Sequence, residues 1–174
     1  MSQLQMRRHN LAGLPPIPAL GEGCSLRRGA LADRAGIAEV LAKAFDDATW
    51  DADRVQRELF EDECVHGTFI VVFREKPVAT ASVQIQPDRY PRSGVLHWVA
   101  TDPEHRGQRL GAAVSLAVLH VFVEMGCRDA VLLTDDERLA AIKTYLGLGF
   151  LPEPTDGSHS ERWAAVSAAL EAAK

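Results

Sequence analysis

The stretch Arg106-Gly107-Gln108-Arg109-Leu110-Gly111-Ala112 is the part of the sequence best built to hold a charged ligand. It follows an alternating apolar run, Val95 to Thr101, and leads straight into a long apolar run, Leu110 to Met125. The first run has the period of a strand and the second that of a helix. A glycine-containing loop between strand and buried helix exposes backbone N–H groups and the positive end of the helix dipole, a combination that binds phosphate oxygens. Arg106 and Arg109 add positive charge there, and Gly111 and Ala112 let a ligand approach the backbone closely. A Walker-type loop would need a Gly-Lys-Ser/Thr ending, which is absent. A dinucleotide-binding turn would need more glycines after the first strand. Cys127, the cysteine nearest the loop, follows a helix end with no histidine beside it, so a nucleophilic role is not expected.

The elements that must position this loop can be read from spacing. Cys24 to Arg28 reads as a first strand. Asp33 is placed to cap a helix carrying Ile37, Val40, Leu41, Ala44 and Phe45, and Asp51 or Asp53 to cap a second with Val55, Leu59 and Phe60. Thr68 to Phe73 is a strand run, and Ala79, Ala81, Val83 and Ile85 alternate with Thr80, Ser82 and Gln84 as the two faces of the next strand. On the Val95–Thr101 strand, Leu96, Trp98 and Ala100 fall on one face and Val95, His97 and Val99 on the other. The helix from Leu110 to Met125 is apolar nearly all round and is expected to be central, with Gly126 closing it in a left-handed cap. Ala130 to Thr134 is a short buried strand. Asp135 or Asp136 caps a helix reaching Gly147, Phe150-Leu151 begins a last short strand, and a terminal helix starts near Ser160 with Trp163, Val166 and Leu170 as its stripe. The strands before and after the Leu110 helix must run parallel, because the helix between them is a crossover connection. The expected class is α/β, a mixed sheet in a single domain over residues 24–174. Residues 1–23, broken by Pro15, Pro16 and Pro18, read as an extended N-terminal arm.

From Val95 to Phe150 the chain resembles the GNAT acyltransferases. That family's loop reads Arg/Gln-x-x-Gly-x-Gly/Ala and binds the pyrophosphate of acyl-CoA. Arg106 and Gly111 match it, Arg109 stands at the family's first glycine, and a shifted frame from Gln108 to Ala113 also satisfies it. The approach from Trp98 to Gly107 is similar to the family's Val-x-Pro-x-x-Arg-Gly. Ala141-Ile142-Lys143-Thr144-Tyr145, followed by Leu148-Gly149-Phe150, is similar to its A-x-x-x-Y…L-G-F signature. Two departures stand out: Arg138 occupies the position of the family's asparagine, and the chain ends in a helix where the family ends in a seventh strand.

The resemblance implies a GNAT-like fold and an N-acetyltransferase that moves an acetyl group from acetyl-CoA, a donor cosubstrate, directly to an amine in a ternary complex. It implies that Val99, Ala100 and Thr101 offer backbone groups to the pantetheine arm and that Arg106, Gly107, Gln108, Arg109, Leu110, Gly111 and Ala112 hold the phosphates. Tyr145 would protonate the departing thiolate. His97 would act as general base, unless a water chain removes the amine proton; Asp102 reads as a strand-end turn residue. The acidic loop Asp46, Asp47, Trp50, Asp51, Asp53 would border the acceptor site, or else only cap and solvate its helices. No metal is expected. The alternative reading is a non-catalytic acyl-CoA sensor.

The bulk of the sequence fits this. The 174 residues suffice for one full core, with 47% hydrophobic and 25% charged residues, so disorder is not expected. A net charge of −5 argues against nucleic acid, and no apolar run approaches the ~20 residues of a membrane helix. Three scattered cysteines without a CxxC pair suggest a reducing, cytoplasmic setting. The expected partner is a small-molecule or peptide amine. The Pro-rich arm and an uncovered sheet edge near Phe150 further suggest a homodimer, with a monomer whose arm folds back as the alternative.

Overall fold

A computed structural model describes residues 3–172. In chain order the elements are β1 (Leu4–Arg8), β2 (Cys24–Arg28), α1 (Arg34–Phe45), α2 (Ala52–Val55, continued by a π turn over Gln56–Phe60), β3 (Val65–Phe73), β4 (Lys76–Gln84), β5 (Ser93–Thr101), α3 (Leu110–Glu124), β6 (Asp129–Thr134), α4 (Leu139–Gly147), β7 (Leu151–Pro152) and α5 (His159–Ala172). The strands form one sheet in the order β2-β3-β4-β5-β6-β1-β7. All neighbours are antiparallel except β5 and β6, which run parallel around the α3 crossover as the connection requires.

The two faces of β4 sort the core. Ala79, Ala81 and Val83 pack with Leu110, Val114, Val118 and Phe122 of α3. Ile70, Val72 and Ala100 pack with Ile37, Leu41, Val55 and Leu59 under α1 and α2. Helix α3 is apolar enough to lie across the sheet with nine of its residues buried, Leu110 through Phe122, while its last turn leaves Val123 and Met125 half exposed. Gly126, at φ +74°, ends it as its sequence position suggested.

Three expectations are corrected. Residues 1–23 are not an arm throughout: Leu4–Arg8 is an interior strand, antiparallel to both β6 and β7, with Leu4 and Met6 fully buried. The N-terminus therefore supplies a strand where the chain's end was expected to leave an edge open. β1 lies between β6 and β7, and β7, next to Phe150, is the outermost strand on that flank. Second, α4 begins at Leu139 with Arg138 at its N-cap, not at Asp135 or Asp136. A turn closed by Arg138 N–H to Asp135 O (3.2 Å) comes first, and the Asp136 carboxylate takes the Arg162 guanidinium of α5 instead. Third, the alternation of β5 breaks. Thr80 pairs with Ala100 but Ser82 pairs with His97, so Trp98 and Val99 together oppose Ala81. This bulge puts Trp98 at φ +46° and turns the His97 and Trp98 rings toward each other, 4.8 Å between centroids, rather than to opposite faces.

Gly94, paired with Ala130 at the base of the parallel contact, lies directly under Phe122; a Cβ there would sit 2.3 Å from the ring. Since Phe122 is wholly buried, the ring has nowhere to retreat. Gly94→Ala is expected to destabilise the domain by about 2–3 kcal/mol, as overpacking does. Urea denaturation checks this; an unchanged midpoint would mean that α3 is not seated on β5 as described.

Candidate active site

The parallel contact between β5 and β6 is confined to Ser93↔Asp129, Gly94↔Ala130 and Val95↔Val131. Beyond Val95 the strands part, while β5 stays paired with β4 out to Thr101. The backbone groups of β5 that would have met β6 therefore open into a cleft of about 700 Å³. Val99, Ala100 and Thr101 form one wall, the loop from Arg106 into α3 closes one end, and Arg138, Ala141 and Tyr145 of the α4 segment form the other wall.

The loop lies between β5 and α3, where its sequence position put it. A short 3-10 turn, Pro103–His105, leads into it, fixed by Asp102: its Oδ1 accepts the Glu104 N–H (3.0 Å) and its Oδ2 accepts from Lys43 Nζ (2.8 Å). Burial alone would raise the Asp102 pKa, but Lys43 and the Glu104 amide hold it low, so Asp102 is a charged loop anchor. Gly107, at φ +79°, has open space where a side chain would begin. Arg109, at the family's glycine position, adopts φ +59° and so keeps the left-handed backbone of a glycine while carrying a cation; that conformation costs an ordinary residue about 1 kcal/mol. Ala113 N–H returns to Arg109 O at 3.0 Å, so the amides of Leu110, Gly111 and Ala112 precede the first intrahelical bond. Gly111 lets α3 lie close on β5, because its Cβ would be 3.3 Å from Thr101 Oγ1. Gln108 is exposed and does not line the cleft. The remaining loop residues, Arg106, Gly107 and Arg109 to Ala112, all do.

Tyr145 and Ala141 share the α4 face turned to the cleft. Gly149, at φ +82°, ends the helix, with Phe150 N–H returning to Tyr145 O (3.0 Å), so the buried Phe150 ring packs edge-on against Tyr145 at 6.2 Å. The phenol is 3% exposed and its hydroxyl makes no hydrogen bond among the described residues. Burial pushes its pKa up to about 12, opposed by the positive charge of Arg138. Arg138 is the residue whose importance its sequence position signalled only as a departure. Its Nη2 donates to Val99 O at 3.1 Å, and its guanidinium lies 4.3 Å from the centre of the Phe45 ring of α1.

His97 is placed apart from these groups. It does not line the cleft. The bulge turns it to the α2 side, where burial lowers its pKa to about 4 against the upward pull of Asp62 and Glu58. The acidic loop mostly serves its own helices. Asp51 caps α2 through the Arg54 N–H, Asp47 takes the Thr49 hydroxyl and the Arg54 guanidinium, and Trp50 is buried edge-on to Trp98 (4.6 Å) beneath Arg54.

The His97 environment sets a pH dependence. The native state resists protonation down to about 4, whereas the unfolded chain takes a proton near 6.5. Stability is therefore complete above about 6.5 and falls as pH drops toward 4. His97→Gln is expected to flatten unfolding free energy over that interval in denaturation series; an unaltered slope would place the proton uptake elsewhere.

Comparison with known proteins agrees with this geometry. The sequence pattern described as "Acetyltransferase (GNAT) family" matches residues 35–150. A mycothiol acetyltransferase of Actinosynnema mirum is 30% identical over 154 residues, covering 85% of this chain and 51% of that protein. One from Nocardia farcinica is 34% identical over 77 residues, 44% of this chain and 25% of its own. The chain thus spans about half or less of the length of these curated relatives. Among solved structures, a GCN5-related N-acetyltransferase from Sphaerobacter thermophilus superposes with a TM-score of 0.65 at 21% identity, covering 88% of this chain and 50% of that one. The ribosomal-protein-S18-alanine N-acetyltransferase of Escherichia coli gives 0.62 at 20%, covering 75% and 79%. Identities that low speak for the fold alone. The match over residues 35–150, which spans the parted strands, the loop and Tyr145, establishes that this chain belongs to the acetyltransferase (GNAT) family.

Proposed function

We propose that this chain is an acetyl-CoA-dependent N-acetyltransferase that acts on an amine acceptor without a covalent enzyme intermediate. The observation that carries this reading is the parting of β5 from β6 beside the Arg106–Ala112 loop, with the Tyr145 hydroxyl in the same cleft. The residues fit the cosubstrate. Arg106, Arg109 and the first amides of α3 suit a pyrophosphate. The edge of β5 from Val99 to Thr101, unpaired by β6 and with Val99 O taken by Arg138, suits the amides of a pantetheine arm, and an N–H of that edge can polarise a thioester carbonyl. Bound acetyl-CoA supplies the activated acyl group.

In the transfer, the acceptor nitrogen bonds to the thioester carbon, the C–S bond breaks, the amine loses a proton and the thiolate gains one. Tyr145 stays protonated throughout the neutral range and can donate to the sulfur. With the phenol at about 12 and a thiol near 8.5, complete transfer is uphill by roughly 5 kcal/mol. The phenol therefore serves chiefly as a hydrogen-bond donor to developing charge, helped by Arg138, whose field acts in the opposite sense to burial. His97, outside the cleft lining and with a pKa of about 4, is a weak acceptor for an ammonium proton. Of the two routes the sequence left open, the reading therefore takes the water chain for removal of the amine proton. The acceptor is assigned to the side of the cleft bounded by Phe45 and the acidic α1–α2 loop, where an ammonium group is attracted.

The homodimer remains part of this reading, with the two-residue strand β7 as the outermost strand on the flank that would meet a partner. The three free cysteines support a cytoplasmic setting, and none of the described helices is long and apolar enough to cross a membrane.

Calorimetry with CoA is expected to show saturable binding. Arg106→Glu should weaken it by about tenfold or more at low ionic strength and by less in high salt; no binding at millimolar CoA would end the reading. Tyr145→Phe is expected to lower kcat by about 10²-fold with little change in CoA affinity, since it removes a donor used chiefly in the transition state. Thiol release across a panel of amines measures this, and the same panel separates an enzyme from a non-catalytic acyl-CoA sensor. Full turnover by the phenylalanine variant would remove Tyr145 from the mechanism.

A further inference from the structure

Arg138 is a partly buried cation without a carboxylate. Of the other partly buried guanidinium groups among the described residues, Arg7 holds Asp129 and Glu153, Arg54 holds Asp47 and Glu58, and Arg162 holds Asp136, while Arg8 and Arg34 donate to backbone carbonyls outside the cleft. Arg138 makes one hydrogen bond, to Val99 O, and one ring contact, to Phe45, and no ion pair among the described residues. A guanidinium carries five N–H donors in a planar fork that matches a carboxylate. One donor is used, and the stack on Phe45 together with the bond to Val99 fixes the plane of the rest. The group lines the same cleft as Tyr145 and Val99, beside the point where acyl transfer would occur. A cation withdrawn from water gains most from an anion brought in with a substrate.

We propose that Arg138 is a specificity residue that seats a carboxylate carried by a substrate of this site, an inference that rests on the acyl-transfer reading. Two sources present that chemistry. One is an acceptor that bears a carboxylate near its amine, such as an amino acid. The other is a dicarboxylic acyl thioester, whose free carboxylate would lie at the same place. The surroundings favour the acceptor: the guanidinium is braced from α1, on the Phe45 ring, and not from the loop that leads into α3. The phosphates of CoA are served by Arg106 and Arg109 on the separate segment that leads into α3.

The test measures thiol release with acetyl-CoA for the common amino acids, each beside its carboxamide and its decarboxylated amine. Succinyl-CoA and acetyl-CoA are also compared with one amine. The wild type is expected to prefer the carboxylate-bearing member of one of these sets by roughly ten- to hundredfold in kcat/KM, the range of a charge-assisted fork. Arg138→Gln should bring that ratio close to one through KM, and Arg138→Lys should keep part of it. A preference in the acceptor sets assigns the carboxylate to the acceptor, and one in the thioester pair to the donor. Thermal melting and CoA calorimetry on both variants control for folding and for a phosphate role. Equal rates for acid and amide in the wild type, no turnover of any carboxylate-bearing substrate while CoA still binds, or a loss of CoA affinity as large as the loss of discrimination would each overturn the proposal. Failure of the wild type to bind CoA would instead overturn the acyl-transfer reading, and this inference with it.

Discussion

Asp129 holds the base of the site together. It is 2% exposed at the first rung of the parallel contact, opposite Ser93, whose hydroxyl it accepts. Its other partners are Arg7 of β1, at 2.8 Å, and Arg128. Arg7 continues to Glu153, just beyond β7, at 2.8 Å. Burial by itself would raise the Asp129 pKa, yet Ser93, Arg128 and Arg7 keep it below the usual carboxylate range, so the charge is fully compensated. One carboxylate thus pins β5, β6 and β1 at one end and, through Arg7, the segment after β7. Just above it, Phe122 sits on Gly94 and fixes α3 across the same junction. With the base clamped in this way, β5 and β6 can diverge above it without loosening the sheet. The cleft is the opening of a wedge whose point is Asp129.

Divergence alone would leave β5 a straight strand with alternate side chains, and the bulge changes what the strand presents. By placing Trp98 at φ +46°, the chain accepts a strain of about 1–2 kcal/mol for a non-glycine residue. Trp98 is compensated by packing, edge-on to Trp50 and to Phe45 at 5.6 Å. The same ring cluster carries the Arg138 guanidinium on Phe45. The aromatic core between α1, α2 and β5 is therefore continuous with the wall of the cleft. The strained backbone stands one residue before Val99 in the cleft wall and is supported by the Trp50 and Phe45 rings.

Much of this was legible in the sequence, and the limits follow from what periodicity can encode. Long elements with many buried positions, such as α3 and the β3–β4 hairpin, declare themselves, and the parallel pairing of β5 and β6 follows from the helix between them. The Arg106–Ala112 loop was singled out by type and spacing, and Tyr145 by the resemblance to the family's A-x-x-x-Y signature. β1 was not read as a strand, because a five-residue strand with only Leu4 and Met6 as apolar members gives too little alternation, and its partners lie about 125 residues away in sequence. The faces of His97 and Trp98 were misread because strict alternation cannot foresee an extra residue. At α4 two plausible capping carboxylates were present, and the competition from Arg162 that settled Asp136 is a tertiary fact. Arg138 could be seen as a departure from the family, but its partners, one on β5 and one on α1, belong only to the fold.

The charges of the site divide along the cleft. Cations at Arg106 and Arg109 stand at the end where α3 begins, in contact with solvent, where they attract a polyanion and can release it. The carboxylates of the α1–α2 loop lie outside the cleft lining, Asp47 paired with Arg54 and Asp51 capping α2. Tyr145, in the cleft, and His97, outside its lining, are both electrically neutral, Tyr145 by a pKa of about 12 and His97 by one of about 4. Burial causes both shifts, in opposite directions because it penalises whichever form is charged. Both groups are therefore neutral from weakly acidic to weakly alkaline pH. Arg138 lines the cleft beside Tyr145 and opposes the effect of burial on its phenol. A carboxylate that the proposed substrate seats on Arg138 would offset that field, so the field on Tyr145 would depend on whether the carboxylate is bound.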